Sequence, residues 1–236
     1  MIKALLFDLD GTLLDVDMAA FLPAYLKALA PRVDGVMPPK QFIADLMAAT
    51  ETMIRNDDPT RTNQDVFLDD FFRRTGLAPS EWLPVFDDFY RTDFHCLRSL
   101  TAPRPLARPL VEAAVARGYE VVIATNPVFP RVAIEARLAW GNLDGLPFRL
   151  ITSYEVMHFS KPNPRYFAEV AEMLGRRPDE CIMIGNDAAE DMTACRVGMR
   201  TFLTAEGRVG QIKESCPPTW EGTLEEVLQR VEQGRW

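Results

Sequence analysis

The sequence predicts an α/β protein. It would be built on a doubly wound, parallel five-stranded sheet, with an all-helical cap domain inserted after the first strand. Three observations predict this. Short unbroken apolar runs alternate with helical patterns from about residue 106 to residue 204, and strands apolar on both faces belong in a parallel sheet covered by helices. One further run of that kind, Ala4-Leu5-Leu6-Phe7, stands alone near the start and stops at Asp8. Between the two regions, from Val16 to about Leu100, apolar residues recur only at helical spacing, without a strand-like run.

Taken in order, Lys3–Asp8 reads as a buried strand. Met18–Leu29, Pro39–Arg55, Asn63–Thr75 and Ser80–Phe94 read as helices, with breaks at Pro31, at Pro38-Pro39, at Asn56-Asp57-Asp58-Pro59 and at Gly76. The prolines of Thr101-Ala102-Pro103-Arg104-Pro105 stiffen a linker back to the sheet. Leu106–Arg117 is then a helix, Glu120–Thr125 a strand, Arg131–Trp140 a helix and Phe148–Ser153 a third strand. Pro164–Leu174 comes next as a helix, Cys181–Gly185 as a fourth strand, Ala188–Val197 as a helix and Arg200–Thr204 as a fifth strand. Thr223 and Glu226 have capping-box spacing and open a last helix, Leu224–Gln233. The division is an α/β core of residues 1–15 and 101–236 and a helical domain of residues 16–100. A length of 236 residues accommodates both, at roughly 150 residues per domain.

Composition narrows the function. With 26 Lys+Arg against 34 Asp+Glu the net charge is −8, which argues against nucleic acid or an anionic membrane surface as partner. The apolar runs are too short to span a bilayer. Cys96, Cys181, Cys195 and Cys216 are scattered and only His95 and His158 accompany them, so neither a zinc centre nor a disulfide framework is expected. The economical setting is a reduced, cytoplasmic one, for a monomer or homodimer.

In open parallel sheets ligands bind at the carboxyl ends of the strands. There the sequence places Asp8-Leu9-Asp10-Gly11-Thr12, Thr125-Asn126-Pro127, Ser160-Lys161-Pro162 and Gly185-Asn186-Asp187-Ala188-Ala189-Glu190-Asp191. Acids brought together repel one another unless something positive joins them. A hard cation that prefers oxygen ligands, such as Mg²⁺, is the natural partner. Leu9 points away from its neighbours in extended backbone, so Asp8 and Asp10 face one centre.

In this order and spacing the motifs resemble those of the haloacid dehalogenase (HAD) superfamily, and the position of the helical insertion resembles that of its members with a C1-type cap. The resemblance spans Met1–Asp15 and about Pro103–Thr204 and implies a Rossmann-like core. It further implies a Mg²⁺-dependent phosphatase acting on a small phosphorylated metabolite through an aspartyl-phosphate. Asp8 would be the nucleophile and Asp10 the general acid, then base. Thr125, Asn126 and Lys161 would bind the substrate phosphate, with Thr125 and Lys161 counted among the catalytic groups. Asp8, the Asp10 carbonyl and Asp187 would hold the metal. Gly11 would supply the tight turn, Asn186 a further hydrogen bond, and Asp191 a contact to a metal-bound water or to Lys161. The dehalogenase and phosphonate-cleaving branches lack the second acid, so Asp10 counts against both. A phosphosugar mutase with the same two acids, and a non-catalytic binding protein retaining the fold, remain as alternatives.

Elsewhere plainer readings are expected. Phe67, Phe71, Phe72, Phe86, Phe89 and Phe94 read as core of the helical domain. Asp69-Asp70 and Asp87-Asp88 read as exposed charged faces, and Arg55, Arg61 and Arg131 as surface arginines.

Overall fold

A computed structural model describes residues 1–236. Its centre is a six-stranded, all-parallel sheet ordered β5-β4-β1-β6-β7-β8. The strands are β1 (Ala4–Phe7), β4 (Glu120–Ile123), β5 (Leu150–Ile151), β6 (Cys181–Gly185), β7 (Arg200–Thr204) and β8 (Trp220–Gly222). The α/β class therefore stands, but the expected five strands become six. β8 is only three residues long and carries Glu221, so it has no apolar run to announce it. The predicted strand at Phe148–Ser153 shrinks to Leu150–Ile151.

All of β1 is buried, and its side chains divide by parity as the pleat requires. Leu5 and Phe7 join a cluster of 38 buried residues on one face, and Ala4 and Leu6 a cluster of 15 on the other. Each fully buried aliphatic side chain there contributes about 1.5–3 kcal/mol.

A second, antiparallel pair was not foreseen. β2 (Leu14–Val16) pairs with β3 (Thr101–Pro103), with Asp15 opposite Ala102. The two connections that leave and re-enter the sheet are thus zipped together, where the sequence suggested only a proline-stiffened linker. Its three-residue strands are half-exposed and hold a proline, so neither periodicity nor propensity marks them.

Between β2 and β3 lie four helices: α1 (Met18–Leu29), α2 (Pro39–Ile54), α3 (Asn63–Thr75) and α4 (Pro79–Arg91), with 3₁₀ turns at Ala30–Val33 and Asp93–Leu100. Phe71, Phe89 and Phe94 are buried here and Phe67, Phe72 and Phe86 half-buried against them, as their spacing implied. Asp70 departs from expectation. It is 7% exposed and accepts hydrogen bonds from Arg73, from Arg74 Nε (2.6 Å) and from Thr52 Oγ1 (2.9 Å). Arg55, Arg61 and Arg131 do form ordinary surface pairs, with Glu51, Asp69 and Glu135.

The helices share the larger apolar cluster with the sheet rather than owning a separate core. They are also pinned at one corner. The buried Asn63 opens α3, and its amide N–H donates to the Met157 carbonyl (2.7 Å) while its side chain reaches Ser160 Oγ (3.1 Å). Asn56 Nδ2 donates to the His158 carbonyl (3.0 Å).

The remaining helices α5 (Ala107–Ala116), α6 (Arg131–Trp140), α7 (Pro164–Leu174) and α8 (Leu224–Gln233) lie close to their predicted positions. The helix expected at Ala188–Val197 is instead a 3₁₀ helix, Asp191–Val197, preceded by a turn. Cys195 and Cys216, 21 residues apart, form a disulfide. This corrects the expectation of unpaired cysteines and removes the cysteine argument for a reducing compartment. Their proximity is purely tertiary, so no spacing rule could have disclosed it. No helix is long and apolar enough to cross a membrane.

Candidate active site

The order of strands reverses around β1, which has β4 on one side and β6 on the other. Phe7 registers with Ile123 and with Ile184. The segments after these residues, beginning Asp8, Ala124-Thr125 and Gly185-Asn186, therefore emerge at one level of the sheet's carboxyl edge. A cleft of about 660 Å³ opens there, and its lining includes Asp8, Asp10, Thr125, Asn126, Asn186, Asp187 and Asp191. The sequence-predicted residues are thus brought together. Lys161 completes the group from beneath, 1% exposed, with Nζ donating to Asp8 Oδ1 (3.0 Å) and to Asp191 Oδ1 (2.6 Å).

Each position has a local cause. After Asp8 the chain turns tightly, with the Leu13 and Leu14 amides both donating to the Leu9 carbonyl (3.0 and 2.9 Å). Gly11 sits in that turn at φ +86°, and a Cβ there would lie 2.4 Å from Asn186 Nδ2. Only glycine satisfies both the angle and the approach. Thr12 Oγ1 bonds Asn186 Oδ1 at 2.8 Å and lies 3.3 Å from Asp8 Oδ2, while Asn186 Nδ2 donates to the Gly207 carbonyl (2.6 Å). Asn186 thereby ties the first turn to the loop after β7. Lys161 is anchored by the start of α7, where Asn163 caps the helix by accepting from the Arg165 amide (3.0 Å).

Asp191 is 1% exposed and lies so close to the backbone of β6 that a Cβ on Gly185 would meet its Oδ2 at 2.0 Å. It takes a second hydrogen bond from the Asp187 amide (3.0 Å). Burial pushes its carboxyl upward, against the pull of Lys161. Burial alone would lower the Lys161 ammonium, but the carboxylates of Asp191 and Asp8 outweigh it and hold the pKa well above the usual value. Asp187 Oδ1 accepts from the Ala189 and Glu190 amides (2.7 and 3.0 Å) at the turn into the 3₁₀ helix. Asn126 Nδ2 donates to Glu190 Oε2 (3.1 Å) and Asn126 Oδ1 has no partner.

Two further residues shape the cleft. Arg137, on α6 and 1% exposed, donates from Nη1 to Asp10 Oδ2, and its Nε reaches the Ala133 carbonyl (3.3 Å). Its Nη2 and Asp10 Oδ1 are buried without partners. A signal existed: Arg137 stands on the stripe of Ala133, Ile134 and Trp140, which faces the core. Glu190, to which the family resemblance gives no role, has its carboxyl raised to about 7, mainly by burial and further by Asp187 and Asp8, with Lys161 opposing. Asp10 is also raised, first by burial, with Arg137 opposing and Asp8 adding.

No three acidic, histidine or cysteine side chains converge on one point as a metal cage. The donor set nevertheless fits Mg²⁺, which typically takes one or two carboxylates and keeps several waters. Asp8 and Asp187 both line the cleft, and the carboxylates of Asp8, Asp10, Asp187, Glu190 and Asp191 outnumber the cations Lys161, Arg137 and Arg208.

A family model for haloacid dehalogenase-like hydrolases matches residues 2–198. The chain belongs to that family. Among its relatives, the phosphoglycolate phosphatase of Aquifex aeolicus is 26% identical over 212 residues, covering 88% of this chain and 86% of its own. The glyceraldehyde 3-phosphate phosphatase of Methanopyrus kandleri is 25% identical over 215 residues, with coverage of 88% and 86%. Among solved structures, the HAD phosphatase of Thermococcus onnurineus superposes with a TM-score of 0.59 at 21% identity, over 98% of each chain. The L-2-haloacid dehalogenase of Xanthobacter autotrophicus does so with 0.61 at 17%, over the whole of both. At such identities the structural likeness speaks for the HAD fold alone, which both enzymes share with this hydrolase.

Proposed function

We propose that this HAD hydrolase is a Mg²⁺-dependent phosphomonoesterase acting on a small phosphorylated substrate through Asp8. The observation that carries the reading is the placement of Asp8. Its carboxylate opens into the cleft at the end of the central strand, with Lys161 Nζ 3.0 Å from one oxygen and Asp10 on the same rim. Both phosphatase relatives support it.

In this reading Asp8 attacks phosphorus and the ester oxygen departs, taking a proton from Asp10. Asp10 then removes a proton from water, which attacks the aspartyl-phosphate and releases inorganic phosphate and free Asp8. Burial raises the Asp10 carboxyl, with the Arg137 guanidinium opposing the rise. Arg137 holds that carboxyl in place. Thr125, Asn126 and Lys161 bind the phosphoryl oxygens, and Lys161 keeps Asp8 and Asp191 from repelling one another. Asp8, Asp187 and the Asp10 carbonyl would hold Mg²⁺, which when bound neutralises phosphoryl charge. Helices α1–α4, residues 16–100, serve as the cap over a core of residues 1–15 and 101–236, shielding the reaction from bulk water.

The test is phosphate release from a panel of phosphoesters with and without Mg²⁺, alongside Asp8→Asn. Turnover that needs the metal and vanishes in the variant is expected. Isomerised sugar phosphate in place of free phosphate would mark a mutase instead. No turnover of any ester by metal-loaded protein would overturn the reading.

A further inference from the structure

A second cavity of about 400 Å³ lies among helices α1–α4 and the loop residues Val128, Phe129, Pro130 and Tyr154. It shares Met18, Val128 and Phe129 as lining residues with the catalytic cleft, so the two adjoin. Phe129 stands at the junction, 4.7 Å from the Arg137 guanidinium on the catalytic side and 5.3 Å from the Tyr25 ring on the other. The volume falls at the lower end of the range, about 300–1,000 Å³, that organic ligands occupy.

Its chemistry is selective. All four helices contribute wall, and fifteen of nineteen lining residues are hydrophobic. No lysine, arginine or histidine lines it, and the one charged side chain is Asp87. Several of its polar groups are already engaged. The Tyr25 and Tyr90 hydroxyls bond each other (2.9 Å) and Thr50 Oγ1 donates to the Leu46 carbonyl (2.9 Å). A sugar entering here would give up hydrogen bonds to water and find few in exchange, and a carboxylate would meet no cation. Met18, Met47 and Leu83 line the cavity and are also more than a third exposed, so it opens outward and admits a chain longer than itself.

We infer that the cavity receives the leaving group of the substrate, and that this group is a hydrocarbon-rich, uncharged alcohol or phenol rather than a glycolate or a sugar. The inference rests on the phosphatase reading above and adds the substrate class. It differs from what the names of the relatives would suggest by simple transfer, because neither phosphoglycolate nor glyceraldehyde 3-phosphate carries a hydrocarbon tail to place there.

The experiment measures kcat/KM for ethyl, butyl, hexyl and 1-naphthyl phosphate, and for phosphoglycolate and glycerol 3-phosphate, with Mg²⁺. In parallel, ethyl-, butyl- and hexylphosphonate are titrated calorimetrically. The expected result is a rise of up to about fourfold per buried methylene in both series, with hexyl and naphthyl phosphate at least tenfold above the charged and hydroxylated esters. Met47→Trp, which fills the cavity from its exposed wall, should lose the gain in kcat/KM and in phosphonate affinity from butyl to hexyl. Met47→Arg should narrow the gap to phosphoglycolate. Turnover that ignores chain length, or prefers phosphoglycolate or glycerol 3-phosphate, overturns the inference and leaves the phosphatase reading intact. Phosphonate affinity that climbs with chain length while no ester is hydrolysed overturns the phosphatase reading and keeps the cavity's preference.

Discussion

Arg137 and Asp10 form an ion pair inside the molecule. The arginine side chain is 1% exposed and the aspartate side chain 13%, and each leaves one polar atom, Nη2 and Oδ1, without a partner. Neither residue is close to the other in sequence. α6 carries the guanidinium to the turn after β1. Breaking a buried pair from one side costs more than removing it whole, because the surviving charge is stranded. Arg137→Met should therefore lose about 3 kcal/mol of stability and about 10²–10³-fold in kcat. Arg137→Met with Asp10→Asn should regain most of the stability and none of the activity. Thermal unfolding and steady-state kinetics on both variants separate the two effects. A single variant as stable as its parent would show that the pair contributes nothing to the fold.

The surplus of carboxylates around Asp8 and Asp187 gives a second expectation. A cation that binds the folded chain alone stabilises it by about 2.7 kcal/mol at a hundredfold excess over its Kd. Mg²⁺ should raise the melting temperature, chelation should reverse the rise, and Asp187→Ala should abolish most of it, starting from a metal-free melt already lowered by the loss of the Ala189 and Glu190 amide contacts. Calorimetry of Mg²⁺ binding to the same variant provides a readout independent of turnover. An undiminished Mg²⁺ response in Asp187→Ala would remove this residue from the metal set.

How much could be read from the sequence depended on how local each feature is. Asp8, Thr125 and Asn186-Asp187 lie directly beyond strands written as continuous apolar runs, so strand and site were legible together. Arg137 was not, because its partner lies 127 positions away and only a charge on an otherwise apolar helix face betrayed it. β8 and the β2–β3 ribbon depend on neighbours for their hydrogen bonds and carry no pattern of their own. The expected helix at Ala188–Val197 gives way over its first residues to a turn, in which the Asp187 carboxylate accepts from the Ala189 and Glu190 amides, and a 3₁₀ helix follows from Asp191.

Asp70 supplies a pH prediction. Burial would raise its carboxyl, but Arg74, Thr52 and Arg73 outweigh burial and hold it below the ordinary 3.8. A group whose folded pKa is depressed adds stability that is present above the unfolded value and is lost as pH falls through the folded one. The wild-type melt should therefore drop across the acid range beginning near pH 4, and Asp70→Asn should flatten that part of the profile. At neutral pH the variant should be less stable by roughly 1 kcal/mol. Melting curves from pH 2 to 7 measure both, and parallel profiles would contradict the assignment.

The Cys195–Cys216 bond bears on the site through the segment it closes. That segment includes Gly207, whose carbonyl accepts from Asn186, and Val209, whose amide donates to the Asn186 carbonyl (3.0 Å) and whose carbonyl accepts from Ala188 (2.9 Å). Cross-linking a loop of this length restricts the unfolded chain by about 3 kcal/mol in the chain-entropy account. Cys216→Ser should lower stability by up to that amount. If the bond also holds the loop against Asn186, KM should rise more than kcat falls, because the loop lines the cleft but supplies none of the groups proposed to react. Denaturant titration and kinetics on Cys216→Ser, and on the parent with and without reductant, should agree. Equal stability of parent and variant under oxidising conditions would mean that the two sulfurs are not joined in the protein as purified.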